Sequence, residues 1–113
     1  MRIEIPIKTV SLMNMREHFR VTAKRKKEHR DAVAWALQGR ERPSLPVVVT
    51  FTRVSPGTLD AHDNLPSSMK NVCDEVAKWL GIDDSDELVT WKYAQQKCKR
   101  GEFGVILEIN HAP

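Results

Sequence analysis

The feature that most constrains the fold is an apolar stripe in the middle of the chain. Its members recur at the three- and four-residue spacing of one helix face: Met69, Val72, Cys73, Val76, Ala77 and Leu80. Pro66 is tolerated only in the first turn of a helix, and Gly81 suits the position just after the last turn. The pattern therefore predicts a long helix over residues 64–80, capped by Asp63 or Asn64.

Another long helix is predicted upstream, over residues 22–38. Its apolar positions form a stripe in the C-terminal half: His29, Ala32, Val33, Ala36 and Leu37. Thr22 is a suitable N-cap, and Gly39 suits the left-handed position after the helix. The first turns are basic, which is the opposite of what the helix dipole favours. A local rule broken in this way points to an external partner, although a solvated lysine face is the alternative.

Four segments have the composition of β-strands, centred on residues 3–7, 47–52, 88–93 and 103–109. Pro6 removes a hydrogen-bond donor from the first strand, so we expect that strand at a sheet edge. The β-branched second strand is expected to be central. Residues 97–102 have the composition of a hairpin turn between the last two strands. The order strand-helix-strand-helix-strand-strand predicts an α+β, two-layer domain in which two long helices pack on a four-stranded mixed sheet.

Bulk composition excludes several classes of protein. A chain of 113 residues, 41% hydrophobic and 29% charged, predicts one globular domain over residues 1–113. No apolar run approaches the roughly 20 residues that span a bilayer, and the N-terminus lacks the apolar core of a signal peptide. Cys73 and Cys98 are too few for a disulfide framework. We therefore expect a cytoplasmic protein with no membrane segment.

The charge is distributed unevenly along the chain. Residues 1–55 contain 12 Lys and Arg against 5 Asp and Glu, whereas residues 56–113 contain 6 against 10. A basic half attracts polyanions such as nucleic acid. An acidic half binds phosphate only if its carboxylates hold metal ions. This combination favours a metal-dependent nuclease over a simple DNA-binding module.

The candidate DNA-binding residues lie in the basic half: Asn14, Arg16, Arg20, Lys24, Arg25, Lys26 and Lys27. Arg, Lys and Asn side chains are common partners of the phosphate backbone. A solvated loop followed by a solvated helix face is the alternative interpretation.

Carboxylates gather at both ends of the helix predicted over residues 64–80. Asp60 and Asp63 precede it, and Asp83, Asp84 and Asp86 follow it. Oxygen ligands of this kind suit Mg²⁺, although Asp is also common in caps and turns. A straight helix would hold the two groups about 25 Å apart, at roughly 1.5 Å per residue. They can meet only if the chain folds back near Gly81 or if the helix is shorter.

Lys70 lies on the same flank of this helix as Asp63 and Asp74. Beside a metal-binding carboxylate, a lysine is suited to contact a scissile phosphate. The alternative is a simple ion pair between Lys70 and Asp74, four residues apart on the helix surface.

These motifs resemble those of the RusA family of Holliday junction resolvases. The resemblance is carried by residues 59–86, LDAHDNLPSSMKNVCDEVAKWLGIDDSD, by the following strand VTWKY with Gln95, and by the basic leader IPIKTVSLMNMREHFRVTAKRKKEHR. Members of this family are small, largely prophage-encoded endodeoxyribonucleases. They act as homodimers and cut four-way DNA junctions by paired symmetric nicks that depend on Mg²⁺.

The resemblance implies roles for individual residues. Asp60 and Asp63 match the two metal ligands that precede the helix, and Asp84 or Asp83 matches the third, supplied by the same chain or by the partner of a dimer. Lys70 matches the lysine of the helix. The implied function is metal-dependent hydrolysis of branched DNA in recombination and repair. A non-catalytic DNA-binding phage protein with the same fold and a nuclease for other branched DNA are the alternatives.

Overall fold

Alternating apolar and polar residues build one four-stranded sheet. The computed structural model describes residues 1–11 and 19–113. Its strands are β1 (Arg2–Ile5), β2 (Val47–Ser55), β3 (Val89–Lys97) and β4 (Gly104–His111), and its helices are α1 (Phe19–Leu37), α2 (Asn64–Ser68) and α3 (Lys70–Leu80). The lateral order is β1-β4-β2-β3. β2 runs parallel to β3, and β4 runs antiparallel to both β1 and β2. The predicted α+β class with a mixed four-stranded sheet is confirmed.

One face of the sheet carries the core. Along β2 every second residue is buried, from Val47 to Ser55, while the residues between them are half-buried. Phe51 lies at the centre of this face, fully buried, with Trp91 and Tyr93 of β3 stacked beside it. The stripes of α1 and α3 pack on the same core, as their spacing predicts: His29, Val33, Leu37, Met69, Val72, Cys73, Val76, Ala77 and Leu80 are all buried.

Two predictions about strand position are confirmed and one is wrong. β1 lies at an edge, where it pairs with β4, and β2 is central. Residues 97–102 do not connect a hairpin, because β2 lies between β3 and β4. A tight turn does form there, with the N–H of Glu102 bonded to the carbonyl of Lys99 at 3.0 Å. It carries the chain past the end of β2 because both edges of that buried strand need a partner.

The helix predicted over residues 64–80 is two helices, since the chain bends at Met69 (φ −100°, ψ 3°). The Met69 N–H bonds the carbonyl of Pro66 at 3.1 Å, a tighter turn than that of an α-helix. The Ser68 hydroxyl also donates to the carbonyl of Leu65 at 2.7 Å and so competes with helical bonding. The bend buries both Leu65 and Met69 in the protein interior.

A glycine lies just after the C-terminal end of both α1 and α3. α1 begins at Phe19, three residues before the predicted start, and ends at Leu37. Gly39 has φ 76°, and Gly81, which ends α3, has φ 75°, so both predicted left-handed positions are confirmed. Within residues 1–11 and 19–113, no helix is long and apolar enough to cross a membrane.

Candidate functional site

The Asp60 carboxylate organises the loop that enters α2. One of its oxygens accepts the backbone N–H groups of Asp63 at 2.9 Å and Asn64 at 3.2 Å, and the other accepts the Asn64 side-chain amide. These bonds, that of the Asn64 amide first, lower the pKa of Asp60 below its usual value. Asp63 occupies the N-cap position with no side-chain capping bond. Asp60 therefore supports the loop, and the exposed Asp63 carboxylate makes no cap.

The same loop is tied to β3 by a side chain. Gln95 donates its amide to the carbonyl of Leu59 and accepts the N–H of Leu59, each at 2.7 Å. Because Leu59 precedes Asp60, this pair of bonds sets where the first carboxylates lie relative to the sheet.

The second carboxylate loop is also attached to β3. The Trp91 indole N–H donates to the carbonyl of Asp84 at 2.7 Å. One Asp83 oxygen accepts both the N–H and the hydroxyl of Ser85 at 3.1 Å. Asp86 accepts the N–H of Leu88 at 2.8 Å. Asp83 and Asp86 thus shape the turn itself, whereas the exposed Asp84 carboxyl group is hydrogen-bonded to that of Asp83.

Both loops are hydrogen-bonded to side chains on one face of β3. Trp91 and Gln95 are four residues apart and point to the same side of the strand, so their anchoring points are about 13 Å apart at roughly 3.3 Å per residue. The 11-residue α3 is also much shorter than the predicted helix. After Gly81 the chain turns back toward the sheet, as the sequence required if the two acidic groups were to approach each other.

Lys70, Asp74 and Asp84 are electrostatic neighbours on this side of α3. The Lys70 ammonium lies 3.6 Å from an Asp74 oxygen. The pKa of Asp84 is raised, first by its side-chain hydrogen bond with Asp83, then by partial loss of hydration and by repulsion from Asp83 and Asp74, while Lys70 acts in the opposite direction. Repulsion between carboxylates is what a bound cation relieves. Asp74 is the site residue that sequence reasoning treated only as an ion-pair partner.

Tyr93 and Cys73 form the floor beneath these charges. Burial, aided by their mutual hydrogen bond and nearby aspartates, raises the pKa of Tyr93 to about 12. Burial and the charges of Asp74 and Asp84 raise the pKa of Cys73 to about 12. Both groups are therefore neutral at physiological pH. Cys73 is a core residue, as predicted, and its protonated thiol is a poor nucleophile.

The donor set fits a hard cation only in part. Mg²⁺ takes oxygen ligands, and one or two carboxylates suffice because waters and substrate phosphates complete its shell. Asp84 and its neighbour Asp74 meet that requirement. Among the residues that the structure describes, no three His, Cys, Asp or Glu side chains are grouped so that they could hold a metal ion. The ligand set of Asp60, Asp63 and Asp84 or Asp83 therefore stays a prediction.

The start of the basic leader is anchored beside the Asp60 loop. The carbonyl of Lys8 accepts the Nε2–H of the buried His29 at 2.9 Å. The carbonyl of Thr9 accepts a bond from Arg53 at 3.3 Å. The Ser11 hydroxyl donates to the Asn64 side chain, which itself contacts Asp60. Ser11, the last described residue before α1, therefore lies next to the Asp60 loop.

Asn14 and Arg16, two of the predicted DNA contacts, lie outside the described residues. The other five are in the first turns of α1, where Arg20, Lys24, Lys26 and Lys27 are exposed and Arg25 is half-buried. Lys24 pairs with Glu28 at 3.8 Å and Lys27 with Asp31 at 2.6 Å. Local pairing therefore offsets part of the charge that looked unbalanced in the sequence, and the DNA contacts stay predictions.

Comparison with known proteins adds no assignment. A scan against protein-family models gives no match, and a search of curated proteins gives none.

Proposed function

We propose that this chain is a RusA-like, metal-dependent endodeoxyribonuclease that cuts four-way DNA junctions in the cytoplasm. The observation that supports the proposal most directly is the Lys70–Asp74 ion pair on α3, whose two charges both act on the Asp84 carboxyl group. The Asp60–Asp63 loop and the Asp84 loop are both hydrogen-bonded to side chains on the same face of β3. Carboxylates that can hold metal, together with a lysine that can contact phosphate, suit metal-dependent phosphodiester hydrolysis.

The residues divide into ligands and supports. Asp63 and Asp84 are exposed carboxylates suited to hold Mg²⁺, together with Asp74 or with the free capacity of Asp60 and Asp83. The chemistry that bound Mg²⁺ supplies in such sites is activation of water and neutralisation of phosphate charge. Lys70 has an exposed ammonium that would contact the scissile phosphate, with Asp74 orienting it.

Substrate binding would use the basic side of the molecule. Ser11 is anchored beside the Asp60 loop, and Arg20, Lys24, Lys26 and Lys27 at the start of α1 are exposed. Lysine and arginine contacts to phosphates supply affinity without reading sequence, which suits an enzyme that recognises the shape of a junction. A two-fold homodimer would present two equivalent sites to the nearly symmetric junction.

One observation favours a non-catalytic DNA-binding protein as the second candidate. The Asp60 carboxylate is used by its own loop, and no group of three metal-binding side chains occurs in the described part of the chain. In that case the acidic loops would be structural and the basic leader alone would bind DNA.

The experiment that separates the two is cleavage of a synthetic four-way junction, with Mg²⁺ and with EDTA. The proposal predicts paired nicks that require Mg²⁺ and that are lost in Asp84→Asn and in Asp63→Asn. Glu87→Gln is the matched control, because Glu87 is an exposed carboxylate three residues beyond Asp84 with no ion pair among the described residues. Binding of the junction without cleavage by the unmodified protein would establish the second candidate instead.

A further inference from the structure

A large groove lies away from the carboxylate site, between the C-terminal ends of α1 and α3. Its volume is about 660 Å³, and its lining includes Trp35, Trp79, Arg40, Arg42 and Lys78. Ligand pockets commonly have volumes of roughly 300–1,000 Å³. This groove is wide and open, so it suits an extended ligand better than a small enclosed one.

Trp35 is the most unusual residue of this region. Its side chain is 79% exposed, the largest exposure among the large hydrophobic side chains described. It borders the 660 Å³ groove on one side and a second groove of about 550 Å³, lined by Ile3 and Glu4, on the other. The Trp35 indole therefore separates the two grooves and contributes to the lining of both. Trp79, by contrast, is half-buried and packs against the core, where it forms part of the floor.

The acidic residues around Trp35 are already neutralised by neighbours. Asp31 pairs with Lys27 at 2.6 Å, Glu75 with Arg30 at 2.9 Å, and Glu4 with Arg2 at 3.5 Å. Each of these three acids borders one of the two grooves.

The cations of the groove have no such partners. Across residues 1–11 and 19–113, no carboxylate lies within ion-pair distance of Arg40, Arg42 or Lys78. Glu41 lies between the two arginines in sequence but borders a different pocket. The Arg40 Nε donates to the carbonyl of Ala36 at 3.1 Å, which leaves its terminal nitrogens for a ligand. The groove therefore contains three cations that have no carboxylate partner among the described residues.

The helix dipole explains some of this arrangement but not all of it. Cations near the C-terminal ends of α1 and α3 complement the partial negative charge there. That effect gives no reason to expose an indole among them. An exposed aromatic ring beside several unpaired cations is the combination that single-stranded nucleic acid requires, with a base stacked on the ring and phosphates on the cations.

We infer that the groove between α1 and α3 binds single-stranded nucleic acid, with a base stacked on Trp35 and the backbone contacting Arg40, Arg42 and Lys78. This site is separate from the carboxylate loops, and its binding requires neither metal nor cleavage.

The test uses the full chain in EDTA with a fluorescein-labelled oligothymidine of 12 nucleotides, followed by fluorescence anisotropy. We expect Trp35→Ala to weaken binding roughly 5-fold or more, the loss typical of one stacked base, and Trp35→Phe to retain most of the affinity. A 12-unit abasic backbone, which has phosphates but no bases, should bind the unmodified protein more weakly than oligothymidine. That difference should shrink in Trp35→Ala.

The cations are tested by salt dependence. Replacing Arg40 and Arg42 with alanine should reduce the slope of log K against log salt by about 1.4, because each phosphate contact on a single strand contributes about 0.7. Lys99→Ala with Arg100→Ala, exposed cations of the β3–β4 turn, is the matched control and should leave that slope unchanged.

Two outcomes would overturn the inference. The first is equal binding of oligothymidine by Trp35→Ala and the unmodified protein. The second is self-association of the unmodified protein in sedimentation that Trp35→Ala abolishes, because Trp35 would then be covered by a second copy of the chain. Either result leaves the cleavage assay unaffected, since that assay tests Asp63 and Asp84.

Discussion

Gln95 and Leu59 exchange two hydrogen bonds of 2.7 Å, so that one side chain of β3 replaces the backbone partner that a neighbouring strand would supply. These two bonds hold the loop that presents Asp60 and Asp63 in a fixed position relative to the sheet.

We therefore expect Gln95→Ala to impair cleavage more than junction binding. Without the two bonds the Asp60–Asp63 loop loses its fixed distance from β3, so the turnover number should fall at least 10-fold and the Mg²⁺ concentration for half-maximal cleavage should rise. Gln96→Ala is the matched control, because Gln96 is exposed on the opposite side of the same strand. Identical kinetics for the two variants would show that the anchor has no role in the site.

Asp60 and Asp63 should respond differently to mutation, although only two residues separate them. Asp60→Ala removes the acceptor for the N–H groups of Asp63 and Asn64, so the urea midpoint of unfolding should fall. Asp63→Ala removes no capping bond, so the midpoint should stay unchanged. Cleavage should nevertheless be abolished, because the proposed function uses the Asp63 carboxylate to hold Mg²⁺. The lowered pKa of Asp60 means that its contribution to stability is present above its ordinary pKa of 3.8 and is lost as the pH falls through the lower folded value.

The ion pair of Arg30 and Glu75 should contribute more to the free energy of unfolding than the exposed ion pairs of α1. It joins α1 to α3 at 2.9 Å, and the Glu75 side chain is only 12% exposed. Arg30→Ala leaves that carboxylate buried without a partner and should cost about 3 kcal/mol in the free energy of unfolding. Lys27→Ala, which breaks an exposed pair, should change the free energy of unfolding very little. Urea unfolding of both variants measures the difference, and equal stabilities would contradict this prediction.

His29 should make the protein less stable in mild acid. Its ring is buried, with Nε2–H bonded to the carbonyl of Lys8 and Nδ1 without a hydrogen-bond partner among the described residues. Burial is the main cause that lowers its pKa below the ordinary 6.5. The unfolded chain therefore takes up a proton before the folded protein does, so stability is lost as the pH falls from about 6.5 toward the folded value.

The measurement is the thermal midpoint between pH 7.5 and 5.5. His29→Gln should flatten its pH dependence, even if it lowers the midpoint overall. His62→Gln, at an exposed histidine, should keep the dependence of the unmodified protein. A His29→Gln curve parallel to that of the unmodified protein would rule out this histidine as the cause.

Local pattern predicted most of the elements because each depends on short-range physics. The stripe from Met69 to Leu80 packs on the core because helical spacing puts its residues on one face. Gly39 and Gly81 end their helices because a left-handed conformation costs them little. The central position of β2 followed from its β-branched composition.

Strand neighbours and helix continuity depended on contacts that are distant in sequence. A turn at residues 97–102 has the same local composition whether or not it joins paired strands, and the partners of β2 decided against the hairpin. The bend at Met69 depended on burying Leu65 and Met69 against the rest of the core. Neither effect is visible in the spacing of apolar residues.

By itself, the sequence determined the element types, the amphipathic helix faces, the basic and acidic halves, and the residues with chemistry to offer. Only the tertiary structure decided which of those residues meet. It brought Asp74 within electrostatic range of Asp84, engaged Asp60 in its own loop, and left Trp35 exposed beside cations that have no carboxylate partner in the described part of the chain. The physical reason is that electrostatic interactions and hydrogen bonds act over a few ångström in space. Which residues come that close is fixed only when the strands pair in the folded protein.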